Sequence, residues 1–289
     1  MRLVRAELLK ARRRQATWVL LIVALVLMGV TFLLVGLGLQ FNRLLEFPQM
    51  YAIIGQFAFG LGGLFAVVYA AAFVGADWNW GVLRNVIARG ESRAGYLLAK
   101  AAALAILLAI AALIVFALGM VMVYLTGLVY NVPVASPLRG RGLADLFDNL
   151  ILGYPVLLQR AALGFAVAVI LRSQLAGAVI GIALYVGEAI LTTILTGITI
   201  AQNLGGLIGE GGFQPIGPEW YQYLPISIGG NVLNALPGGS VATGVAAGGG
   251  LEQLFLRPVP LELALPTVLV YMVAAVALGI FALQRQEIV

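Results

Sequence analysis

Apolar residues fall along this chain in long, charge-poor runs and not in the alternation of half-buried strands. Six such runs lie at about 17–39, 53–75, 97–127, 149–171, 175–200 and 264–283. A helix needs roughly 20 apolar residues to cross a bilayer, so the pattern predicts an all-α integral membrane protein with about six transmembrane helices. The third run is long enough to tilt or to project beyond the membrane. Only Arg172-Ser173-Gln174 separates the fourth run from the fifth, which predicts a tight helical hairpin. The first run is longer than the apolar core of a signal peptide and lacks a small-residue cleavage site, so it reads as a retained span.

Two segments depart from this pattern. In residues 1–16, Met1, Val4, Leu8 and Ala11 share one helical stripe, while Arg2, Arg5, Lys10, Arg12, Arg13 and Arg14 lie off it. That predicts an amphipathic helix in the inner interface, its basic residues near anionic lipid headgroups. Residues 201–263 are rich in Gly and Pro and carry no charge from Trp220 to Leu251. Pro237-Gly238-Gly239 weakens any helix through the middle. The segment is expected to be an extracytoplasmic loop that dips into the outer leaflet, or lies on it, without forming a seventh span. Trp220, Tyr221 and Tyr223 suit the aromatic belt of that interface.

Composition narrows the chemistry. Hydrophobic residues make up 62% of the chain and charged ones 10%, against roughly 45–50% and 25% in soluble domains. The sequence contains neither Cys nor His. Disulfides, thiolate nucleophiles, and every His-based catalytic or metal constellation are therefore excluded, and no cofactor or metal site is expected. A phosphate-cradling loop of the form G-x-x-x-x-G-K-[ST] needs a Lys after Gly. The only lysines, Lys10 and Lys100, follow Leu9 and Ala99, so the chain is not expected to be an enzyme that hydrolyses ATP.

The net charge of +5 reads as topology and not as a nucleic-acid footprint. With the N-terminus inside, the cytoplasmic side receives Arg2, Arg5, Lys10, Arg12, Arg13, Arg14, Arg84, Arg89, Arg93, Lys100, Arg172 and Arg285. Arg43, Arg139, Arg141 and Arg257 fall outside. This asymmetry predicts two cytoplasmic termini on a multi-pass protein of the cell membrane.

The most distinctive stretch joins the second and third spans. It runs Gly75-Ala76-Asp77-Trp78-Asn79-Trp80-Gly81-Val82-Leu83-Arg84, continues through Ala88-Arg89-Gly90-Glu91-Ser92-Arg93, and leads to Lys100. Residues 77–96 are too long for a simple turn, and their charges and tryptophans suit a surface on which a partner docks. A short helix over Gly81–Arg89, closed by Gly90, is consistent with the pattern.

With its basic amphipathic start, the G-A-D-W-N-W-G-V-L-R and A-R-G-E-S-R segments, the hairpin and the large outer loop, the chain resembles the permease subunits of type-2 ATP-binding-cassette exporters. That resemblance implies a pathway-forming membrane subunit, paired with a second permease and docked on a separate cytoplasmic ATPase. It also implies a coupling role for Asp77, Trp80, Arg84, Arg89, Glu91 and Arg93. Two other readings stay open on the residues alone: an ion-coupled secondary transporter or channel acting by itself, and a membrane scaffold.

Arg160 and Glu188 lie inside predicted spans, where a charge costs roughly 2.5–3.5 kcal/mol on insertion scales. Each is 14 positions from Gln174, about 21 Å along its helix. Equal depth and opposite sign predict an intramembrane charge pair across the hairpin, with a place on the transport pathway as the alternative. Gly177 and Gly181 form a G-x-x-x-G on the fifth run.

Overall fold

The computed structural model describes residues 2–37, 49–79, 88, 90, 92–131, 134, 141–207, 216–239 and 256–285. Helix α1 (Arg2–Arg13) turns at Arg14 into α2 (Gln15–Leu37). Helix α3 (Gln49–Gly55) passes through a π-helical segment (Gln56–Leu61) into α4 (Gly62–Asn79). There follow α5 (Arg93–Tyr130), α6 (Gly142–Leu171), α7 (Gln174–Leu207), the short α8 (Pro225–Ala235) and α9 (Leu261–Arg285). Among the described residues, six helical segments are long and apolar enough to cross a membrane. The fold is that of an all-α integral membrane protein.

Helix α5 has 38 residues, about 57 Å at 1.5 Å per residue. This exceeds a hydrocarbon core of roughly 30 Å, so it projects or tilts. Its ends are defined locally. The Ser92 hydroxyl accepts from the Gly95 amide at 3.1 Å, and Asn131 closes the other end in the left-handed conformation at φ 55°. In α1, Val4 and Leu8 pack on the core and Ala11 is buried, while Arg5 and Leu9 face outward.

The core lies where α4 crosses α6. Within the apolar 18-residue stretch of each candidate span, 61% of the residues are buried in α6 but only 11% in α2 and 6% in α7. The outer helices therefore turn most of their apolar surface to lipid or to another chain. Glycine sets the central spacing: a Cβ on Gly164 would lie 2.2 Å from the Val67 carbonyl oxygen. On α7, Gly177 rests on Ala168 and Gly181 on Val67, so the G-x-x-x-G face is the one packed inward. The chain reverses between α6 and α7 at Arg172, which takes φ 52°, and the Ser173 hydroxyl accepts from the Ala176 amide at 3.2 Å.

Helix α8 has 11 residues, about 16 Å, too short to cross. It is docked against α6, α7 and α9, with Ile228 and Val232 fully buried. Residues 240–251 of the uncharged segment lie outside the described residues.

The α4–α6 crossing gives a direct test. Gly164→Val places two methyl groups against the α4 backbone and should cost at least about 1–3 kcal/mol, seen as a lowered melting temperature in detergent. Gly187→Ala, where a Cβ meets nothing within 4 Å, should melt like the parent. Equal melting of the two variants would contradict the crossing.

Candidate functional site

Among the described residues, two polar clusters interrupt the apolar interior, one at each end of the α4–α6 crossing. The first joins α1, α4 and α5. Lys100, on the second turn of α5, is fully buried. Its ammonium lies 2.5 Å from Asp77 Oδ2 and 3.3 Å from Glu7 Oε2. It donates to the Phe73 carbonyl at 2.8 Å and sits 4.6 Å from the centre of the Phe73 ring. The Tyr96 hydroxyl donates to Asp77 Oδ2. Lys10, one turn along α1, holds the other Glu7 oxygen at 2.7 Å.

An isolated buried ion costs several kcal/mol, and only close partners offset that cost. Here one buried ammonium faces two carboxylates, and the surplus negative charge is met by the half-exposed Lys10. The cluster binds α1 to both helices that flank residues 80–91. Arg14 reinforces the contact, its guanidinium donating to the Ala72 carbonyl at 3.3 Å.

This geometry corrects one reading of the sequence. Asp77 does not present its carboxylate to a docking surface: the residue is 1% exposed and its charge is spent on Lys100 and Tyr96. Arg93 donates to the Leu283 and Gln284 carbonyls at 3.3 and 3.4 Å, where a cation complements the C-terminal end of α9. Trp80, Arg84, Arg89 and Glu91 lie outside the described residues. In the expected 81–89 helix only Ala88 is described; Gly90 follows it at φ 85°.

The second cluster surrounds the first turn of α8. Glu188 Oε1 accepts from the Ile226 and Ser227 amides at 2.6 and 2.8 Å and from the Ser227 hydroxyl at 3.2 Å. A carboxylate from α7 thus does the work of a capping side chain, satisfying amides that the helix leaves open and meeting its positive end. Arg160, 3% exposed on α6, donates to the carbonyls of Phe59 and Gly60 on the π-helical segment and to the Ile226 carbonyl at 3.5 Å. Its guanidinium lies 5.3 Å from the centre of the Tyr185 ring. Gly63 makes room for it, since a Cβ there would come 2.4 Å from Arg160 Cδ. Gln159 donates to the Pro225 carbonyl at 2.7 Å.

Arg160 and Glu188 are accordingly not the contacting ion pair that their equal depth suggests. No ion pair within 4 Å joins them among the described residues. Both reach the same turn of α8, which lies between them. Two helix-end amides offer the carboxylate charge-assisted bonds of about 1.5–3 kcal/mol each, and the π-helical carbonyls hold the guanidinium.

A family model described as ABC-2 family transporter protein matches residues 3–188, well over half of the chain. The chain belongs to the ABC-2 transporter family. No curated protein matches the chain. An ABC-2 permease is the membrane subunit of an ATP-binding-cassette transporter and not itself the ATPase, which is its partner. The matched region takes in Glu7, Asp77, Lys100 and Arg160 and ends at Glu188. In this ABC-2 permease, the Lys100 cluster therefore lies wholly within the matched region, whereas α8 and α9 follow it.

Sequence reasoning passed over Glu7, Tyr96 and the pairing of Lys100. The signals were present: Glu7 stands on the apolar stripe between Val4 and Ala11, and Lys100 stands at the start of an otherwise apolar run. Lys100→Met strands Asp77 and should cost about 3–5 kcal/mol. Combining it with Asp77→Asn should recover much of that loss, because Glu7 keeps Lys10. Melting curves of the two variants decide the matter, and a double variant no more stable than Lys100→Met would contradict the pairing.

Proposed function

We propose that this ABC-2 permease is the membrane subunit of an ATP-driven exporter of the cell membrane, with both termini cytoplasmic. It forms the translocation pathway with a second permease copy and docks on a separate cytoplasmic ATPase. The family match over residues 3–188 carries this reading. The basic asymmetry of the sequence supports the orientation. The largely unburied α2 and α7 spans offer the apolar surface that a second copy needs.

The coupling step follows from the Lys100 cluster. Residues 77–93 form the element that meets the ATPase, with Arg84 and Arg89 as its candidate contact charges. Asp77 anchors the near end of this loop, and Lys100 lies about two turns beyond its far end. Glu7 connects both to α1. A push on the loop then moves α1, α4 and α5 together, because separating them would leave buried charges without partners.

Co-purification tests the partnership. An Arg84→Glu, Arg89→Glu variant should insert normally yet retain about tenfold less ATPase, or show hydrolysis uncoupled from transport. Transport by the permease alone, driven by an ion gradient without ATPase, would support the secondary-transporter reading instead.

Topology is tested separately in this Cys-free chain. A Cys introduced at position 2 or 288 should resist an impermeant thiol reagent in sealed cells and react after lysis. Labelling of either in intact cells would reverse the orientation.

A further inference from the structure

The second span is not α-helical throughout. Between α3 and α4, residues 56–61 form a π-helical turn, and the Gly62 amide reaches back five residues to the Phe57 carbonyl. Such a turn is an α-helix with one residue too many, and it recurs at functional sites. A Cβ on Gly62 would come 3.0 Å from the Phe57 carbonyl oxygen, so glycine is what lets the wide turn close there. Helix carbonyls ordinarily bond within their own helix. Here two other helices take hold of them. Arg160 of α6 donates to the Phe59 and Gly60 carbonyls, and the Tyr185 hydroxyl of α7 donates to the Gly60 carbonyl at 2.8 Å.

The two sides of the turn differ in how firmly they are seated. On one side, α4 is pinned by the approach of Val67 to Gly164 and, at its end, by Asp77 on Lys100. On the other, α3 carries no charged side chain. Met50, Ala52, Ile53 and Ile54 are all buried, and residues so spaced cover every face of a helix. A rotation of α3 therefore exchanges apolar contacts for other apolar contacts. The surplus residue sits between a helix that is held and one that can turn, and side chains from α6 and α7 keep it there.

We propose that residues 56–61 are a two-register joint. Arg160 and Tyr185 latch the wide turn, and when they let go the segment closes to α-helix. Closing turns α3 by about 100° and shifts it by about 1.5 Å against α4. The end of the second span remote from residues 77–93 then changes its contacts while α4 stays seated on α6. Arg160 also donates to the Ile226 carbonyl at 3.5 Å, so a displacement of α8 pulls on the latch. The proposal goes beyond the transporter reading and is tested on the permease alone, without ATPase or nucleotide, so its failure leaves that reading standing.

Cross-linking in nanodiscs reads the register, since the chain has no native Cys. A Cβ on Gly119 of α5 would come 2.8 Å from Ile54 Cγ2, within reach of a disulfide. Ile54→Cys with Gly119→Cys should therefore cross-link under copper phenanthroline, and this pair reports the wide turn. Val67→Cys with Gly181→Cys is the control. A Cβ on Gly181 would come 2.6 Å from Val67 Cγ1, and this pair joins α4 to α7 on the far side of the joint. Arg160→Met should slow the first cross-link about tenfold and Tyr185→Phe about fivefold, with the control unchanged. Tyr185→Phe removes a single hydroxyl and decides the matter should Arg160→Met lose the control cross-link. Deleting Ala58 removes the surplus residue and seats α3 where it now stands. It should restore the first cross-link in both latch variants. A first cross-link as fast in the latch variants as in the parent would overturn the proposal. So would a slowed cross-link that the deletion fails to restore, which marks local loosening in place of a change of register.

Discussion

The buried ammonium of Lys100 is the constraint around which one end of this protein is organised. In a medium of low dielectric constant, a charge must find its partners inside the protein. Lys100 takes Asp77 from α4, Glu7 from α1 and a carbonyl from α4, and three elements distant in sequence become one mechanical unit. The same rule shapes the other end. There Arg160 and Glu188 satisfy themselves on backbone groups, and the turn of α8 that supplies many of them is fixed in place. Apolar packing gives the helices their bundle, and these two clusters tie particular helices to one another by buried polar contacts.

This division suits a transporter subunit. The Lys100 cluster stands beside the 77–93 loop, where an ATPase would act, and the α8 cluster stands at the opposite end of the α4–α6 crossing. Between them the crossing is close enough for the Val67 backbone to touch Gly164. A rigid centre with a charged clamp at each end can rock as a body while the less buried α2 and α7 present their faces to a neighbour. Interiors packed in this way transmit displacement and do not absorb it.

Most of the architecture was legible because hydrophobicity alone encodes it. Six apolar runs correspond to the six span-length helical segments among the described residues, and the punctuation at Arg172-Ser173 marked the hairpin turn. The amphipathic stripe of α1 was visible in Val4, Leu8 and Ala11. Pairing was less legible. Equal depth suggested that Arg160 and Glu188 meet, but sequence spacing does not register that a third element supplies better-placed backbone amides between them. Asp77 looked like a surface charge because it adjoins a polar loop, and nothing local reveals that Lys100 turns back toward it. Charges whose partners are distant in sequence are the ones a linear reading misplaces.

The central claim is that α1 and the 77–93 loop move as one body. Spin labels at Cys residues introduced at Arg5 on α1 and Ala88 in the loop, both exposed, report their separation by pulsed electron resonance. The measurement is made on the assembled transporter with and without nucleotide. A single narrow distance that stays the same in both states, and broadens in Lys100→Met, is the predicted result. A shift of several ångström between states in the parent protein would show that the two elements move independently, and would contradict the account.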